Sequence, residues 1–121
     1  MGRNNIAGAW GEAHAAQYLQ NKKYKLIASN FRSRYGEIDL VVANKQYLVF
    51  VEVKLRKTAK FANAFEYVDA YKQNRIRTTA SIYLSQNPIQ LQPRFDVIEI
   101  YAPEGVNTIN PHIHHMEGAF E

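Results

Sequence analysis

Asp39, Glu52 and Lys54 are written into the most hydrophobic stretch of this chain. It runs Gly36-Glu37-Ile38-Asp39-Leu40-Val41-Val42, breaks at a short polar segment, and resumes as Tyr47-Leu48-Val49-Phe50-Val51-Glu52-Val53-Lys54. Ionised side chains inside segments that should face a core are costly unless they are paired or bind a cation. Two carboxylates brought close together repel, so both stay ionised only with a counter-charge between them. Lys54 supplies one such charge, and a divalent cation would supply more. Hard oxygen ligands in a chain without cysteine suit Mg2+ or Mn2+.

The elements that would hold these residues follow from the same stretch. Runs rich in Val, Ile and aromatics read as strands, and the polar break around Asn44-Lys45 reads as a hairpin turn. A two-residue loop at 44–45 pairs Asp39 with Phe50, and one at 45–46 pairs it with Glu52. In both registers Asp39 shares a sheet face with Glu52 and Lys54, because side chains alternate with period two. The two carboxylates are then either opposite, about 5 Å apart at Cβ, or diagonal, about 7–8 Å apart.

Around the hairpin, a first helix is expected from about Ala9 to Asn21, with Glu12, Ala16 and Leu19 on one face among small residues that allow close approach to a sheet. Tyr24 to Phe31 alternates weakly and reads as a leading strand. A second helix is expected from about Asn63 to Ser85, with an apolar stripe of Phe65, Val68, Ile76, Thr79 and Tyr83 that Lys72 interrupts, and Asn87-Pro88 stops it. Arg94 to Ile100 alternates as another strand. Strand, long helix, strand is a crossover unit, so this strand should lie parallel to the 47–55 strand. The expected architecture is α/β: a mixed sheet flanked by helices. From about residue 103 the chain reads as an irregular tail, with Phe120 packed back on the body. His112, His114 and His115 match no strong zinc spacing, and no acid or cysteine stands beside them to complete a site.

At 121 residues the chain is expected to form one domain, residues 1–121. The N-terminus lacks the apolar core of a signal peptide, and no window approaches 18 consecutive apolar residues, so a cytoplasmic protein with no membrane partner is expected. The net charge of +4 understates the basic surface. Glu12, Glu37, Asp39 and Glu52 fall in the suspected site. Basic residues gather at Lys22, Lys23 and Lys25, at Arg32 and Arg34, at Lys54, Arg56, Lys57 and Lys60, and at Lys72, Arg75 and Arg77. An acidic pocket ringed by Lys and Arg suits a metal-dependent enzyme acting on a polyanion. Arg32, Arg34, Arg56, Lys72 and Arg75 are the candidate phosphate contacts. The competing reading is a solvated basic surface.

An Asp, about a dozen residues, then Glu-x-Lys on the next strand resembles the PD-(D/E)XK nuclease signature. The chain as a whole resembles the YraN family of small bacterial proteins, predicted endonucleases similar to archaeal Holliday junction resolvases. Gly8 through Leu19 looks like the family's opening helix. Asn30-Phe31-Arg32 with Gly36-Glu37-Ile38-Asp39-Leu40 looks like its central motif, and Val49 through Arg56 like the next. Glu66-Tyr67-Val68 with Lys72 and Arg75, Arg94-Phe95-Asp96-Val97, and Gly118-Ala119-Phe120 extend the match over nearly the whole chain. The chain departs after Arg56, reading Thr58-Ala59-Lys60-Phe61-Ala62-Asn63-Ala64-Phe65 where the family carries a Gly-Pro-containing segment. The resemblance implies a restriction-endonuclease-like fold, with Glu12, Asp39, Glu52 and Lys54 as the active constellation. Glu12, Asp39 and Glu52 would hold Mg2+ or Mn2+, and Lys54 would orient or activate a water. The implied substrate is nucleic acid, DNA first, at branched or damaged structures. Resolvase-like enzymes meet two-fold substrates as dimers, so a homodimer is consistent with the resemblance. Two readings compete with a nuclease: a non-catalytic nucleic-acid-binding module that keeps the fold, and a structural domain whose buried charges merely pair.

Overall fold

The computed structural model describes residues 6–58 and 68–121. In chain order these form helix α1 (Ile6–Asn21), strands β1 (Lys25–Ser33), β2 (Gly36–Ala43) and β3 (Tyr47–Arg56), helix α2 (Ala70–Gln86), strand β4 (Gln92–Tyr101), a 3-10 turn at Gly105–Asn107, and strand β5 (His112–Phe120). One five-stranded sheet has the order β1-β2-β3-β4-β5. All neighbours are antiparallel except β3 and β4, which run parallel. The fold is therefore a mixed α/β sheet with a helix on each face, consistent with a restriction-endonuclease-like fold.

Local sequence explains the ends of these elements. Helix α1 closes in a Schellman motif around Lys23 (φ 75°): Tyr24 N–H donates to the Leu19 carbonyl and Lys23 N–H to that of Gln20, both at 3.0 Å. Tyr24 and Leu19 then pack together in the core, as the motif favours. In the β2–β3 turn the Asn44 side chain accepts from Gln46 N–H (2.9 Å) and Tyr47 N–H (2.7 Å), which sets a two-residue loop at 45–46. Asp69 caps α2 by accepting from Lys72 N–H at 2.9 Å.

The core has two halves. Ala15 and Leu19 of α1 pack with Leu40, Val42, Val49, Val51, Ile98 and Ile100. Ile76, Ala80 and Tyr83 of α2 pack with Ile38, Val41, Phe50, Val97 and Phe120. Gly11 lets α1 lie close to β3, since a Cβ there would meet the Leu55 side chain at 3.2 Å.

Three expectations change. The first helix begins a turn earlier, at Ile6. Val68 and Asp69 precede α2 rather than belonging to it, and that helix starts at Ala70; the expected start near Asn63, with Phe65 and Lys60, lies outside the described residues. The segment read as an irregular tail contains β5, a nine-residue strand that pairs with β4. Its burial pattern is broken because it is an edge strand with a register shift opposite Asp96, so it carries no clean alternation. Phe120 does pack on the body, stacked on Phe95 at 5.0 Å between ring centroids.

Candidate metal and nucleic-acid site

The β2–β3 register pairs Leu40 with Val51 and Ala43 with Leu48. Continued one step, it sets Asp39 across from Glu52. Of the two registers open in the sequence, this is the one with the carboxylates opposite. The ladder ends at Leu40, and beyond it the Asp39 carboxylate accepts from Val53 N–H at 2.8 Å. Alternation is imperfect here: Ile38 packs toward α2 while Leu40, two residues on, packs toward α1. Asn30, on the neighbouring strand, has φ 53°. The irregularity places Asp39 where both helices can reach it.

The result is a cleft of about 420 Å³. Glu12 and Gly8 come from α1, Glu37 and Asp39 from β2, Glu52 and Lys54 from β3, and Lys72 and Arg75 from α2. All four residues of the implied constellation thus meet around one cavity, and two of the five candidate phosphate contacts line it. The other three do not. Arg56 is committed to the buried Glu99 at 3.1 Å. Arg32 pairs with Glu37 at 3.6 Å, and Arg34 lies over the Tyr35 ring.

The acids divide unexpectedly. Carboxylate oxygens of Glu12, Glu37 and Asp39 lie within 4.8 Å of one another, all half-buried. Glu52 is not part of that trio. Its Oε2 accepts from Lys72 Nζ at 2.7 Å and faces Lys54 Nζ at 3.4 Å. Lys72 sits one helical turn before Ile76, so it leaves the apolar stripe to pair inside the cleft rather than snorkelling to solvent. Glu37 is the residue not put forward as a ligand from the sequence, although period two sets it on the face of Asp39. Asn30, which donates to Glu12 at 3.0 Å, has no comparable signal.

Burial and repulsion from Glu52 push Asp39 up to about 8, against the Val53 N–H bond that favours its charged form; Glu12 and Glu37 add to the rise. Burial and the adjacent Lys72 lower Lys54 below the usual lysine range, despite Glu52. Lys72 is also opposed by burial, but Glu52 raises it on balance. Repulsion among the acids thus adds to burial in opposing an ionised Asp39. Three carboxylates converging on one point are a hard-oxygen donor set of the kind that Mg2+ and Mn2+ accept.

The C-terminal histidines also find partners that the linear spacing hid. His114 Nδ1 lies 3.0 Å from Glu99, and His115 Nε2 lies 2.7 Å from Asp96, both acids supplied by β4. Asp96 is further held by Arg94 and by Gly118 N–H. Although burial works against its charge, these donors hold it below the usual carboxylate range. These are buried ion-pair networks: among the described residues, the one group with metal-compatible spacing is Glu12, Glu37 and Asp39. No helix among the described residues is long and apolar enough to cross a membrane.

Comparison with known proteins places these residues in a wider set. The family model described as "Uncharacterised protein family UPF0102" matches residues 11–100, which span every residue lining the cleft except Gly8. A UPF0102 protein of Caldanaerobacter subterraneus subsp. tengcongensis is 44% identical over 93% of both chains. One of Syntrophomonas wolfei subsp. wolfei is 40% identical over 97% of this chain and 99% of its own. One of Rhodococcus opacus is 40% identical over 99% of this chain and all of its own.

Proposed function

The chain belongs to the UPF0102 (YraN) family, and from the cleft it carries we propose that it is a metal-dependent nuclease that hydrolyses phosphodiester bonds in DNA. The observation that carries this reading is the convergence of Glu12, Glu37 and Asp39 within 4.8 Å beside a lysine pair, in a cleft open to a polyanion. Glu12, Glu37 and Asp39 would hold Mg2+ or Mn2+, with Glu52 adjoining. Such a cation polarises a phosphate and lowers the pKa of a bound water.

The remaining chemistry is assigned to the chain's own groups. Lys72 and Arg75 bind phosphate oxygens from α2. Lys72 exchanges its bond to Glu52 for one to the phosphate, which returns a carboxylate to the cluster. Lys54, with its lowered pKa, reaches the uncharged amine more readily than an ordinary lysine. Its Nζ can take a proton from the attacking water and afterwards present a positive charge to the oxygens of the reacting phosphate.

One observation favours the alternative of a non-catalytic binding module: Lys54 and Lys72 already compensate Glu52 without a cation. Incubation of wild type and Asp39→Asn with single-stranded, duplex, flap and four-way DNA in Mg2+ or Mn2+ separates the two. Metal-dependent cleavage by wild type alone is expected. Binding of these substrates by both proteins with no cleavage by either would leave the binding module.

A further inference from the structure

Two exposed tyrosines are chain neighbours of residues that line the cleft, each beside an arginine. Tyr71, on the first turn of α2, is 70% exposed, and Tyr35, in the β1–β2 turn, is 44% exposed. Arg75 Cζ lies 5.6 Å from the Tyr71 ring centroid, and Arg34 Cζ lies 5.6 Å from that of Tyr35. Arg75 also donates to the Tyr71 hydroxyl at 3.3 Å.

These two pairs form one rim. The β1–β2 turn is pinned to α2 by the Ser33–Thr79 hydroxyl contact at 3.0 Å. A Cβ on Gly36 would lie 3.5 Å from that of Arg75. Tyr35 adjoins Gly36, and Tyr71 adjoins Lys72; Gly36, Lys72 and Arg75 all line the cleft. Along α2, Tyr71 and Arg75 are about 6 Å apart, one turn.

Single exposed aromatics scattered over a surface need no explanation. Here two rings adjoin residues of the cleft proposed to receive a phosphate, each with a cation at hand, and neither belongs to the core clusters. We propose that Tyr35 and Tyr71, with Arg34 and Arg75, form a stacking platform for unpaired bases of single-stranded nucleic acid, the strand whose phosphate enters the cleft. The proposal rests on the nuclease reading and narrows its substrate to strands that are single or splayed. Paired bases cover their own faces in a duplex, whereas an unpaired base offers a π-face to an aromatic ring and its phosphate to Arg and Lys. The basic residues on this rim complement that phosphate.

The test is binding by fluorescence anisotropy, with Ca2+ in place of Mg2+. The probes are a short oligo-dT, an oligo-U and a blunt duplex of the same length. Both tyrosines are exposed, so folding should survive; thermal unfolding checks this. Tyr35→Ala and Tyr71→Ala should each weaken single-strand binding by about five- to 150-fold, the range set by base–aromatic stacking. Duplex binding should change by less than about two-fold, and Tyr35→Phe and Tyr71→Phe should restore single-strand affinity because the ring suffices. The oligo-dT and oligo-U arms show whether DNA, RNA or both are held. Unchanged single-strand binding in both alanine variants, or equal losses on duplex and single strand, would overturn the platform while leaving the nuclease reading intact. A wild type that binds none of the probes would overturn both.

Discussion

Replacing Asp39 by Asn should stabilise the metal-free protein, and by an amount that grows with pH. In the folded state Asp39 titrates near 8, against an ordinary value of 3.8. Between those values the folded protein holds a proton that the unfolded chain has released. The sign is therefore adverse: stability from this group is lost as pH rises from about 4 to 8. Each pH unit is worth about 1.4 kcal/mol, so roughly four units set a ceiling near 6 kcal/mol. Asp39 borders an open cleft, and water screening reduces the expected effect to about 2 kcal/mol. Asn removes the titration while its amide oxygen can still accept the Val53 N–H. Urea unfolding in EDTA should show the two proteins nearly equal at pH 4.5 and the Asn variant about 2 kcal/mol more stable at pH 8. Adding Mn2+ at pH 8 should raise wild type alone, by mass action. A gap that does not change with pH, or an Asn variant less stable at pH 8, would refute the argument that burial and neighbouring acids oppose ionisation of Asp39 in the folded state.

Other predictions follow from the same geometry. Calorimetry should detect Mn2+ binding to wild type with proton release that diminishes as pH rises past about 8, because the cation displaces the Asp39 proton; Asp39→Asn should lose the binding, and equal binding by both proteins would remove Asp39 from the site. Lys54→Ala should lower the cleavage rate by about 100-fold or more while DNA affinity falls far less, since the interaction is made in the transition state; a variant that cleaves as fast as wild type would exclude Lys54 from the chemistry. Lys72→Ala should weaken DNA binding and reduce the salt slope by about one unit; an unchanged slope would confine Lys72 to its pairing with Glu52.

The hairpin was legible in the sequence because its determinants are local. Alternation and a two-residue turn confine Asp39 to two registers, and both keep it near Glu52 and Lys54. The crossover to a parallel β4 was legible for a similar reason, since a helix between two strands leaves few connections. Spacing put Glu12 on a small-residue face of α1 without deciding whether its carboxylate turned toward the sheet or out to solvent. Tertiary structure settled how the charges are shared. Helix α2 sends Lys72 across to Glu52, a partnership between residues 20 apart in sequence that no periodicity encodes. Glu52 is so engaged, and the carboxylates within 4.8 Å of one another are those of Glu12, Glu37 and Asp39, brought together by the docking of α1 on the sheet. Strand β5 was hidden because an edge strand with a bulge carries no clean hydrophobic alternation, and its histidines find acids only through pairing with β4. Residue types and spacing sufficed to identify the groups capable of chemistry. Which carboxylates remain available to a cation depends on distances of a few ångströms between elements far apart in the chain, and packing sets those distances.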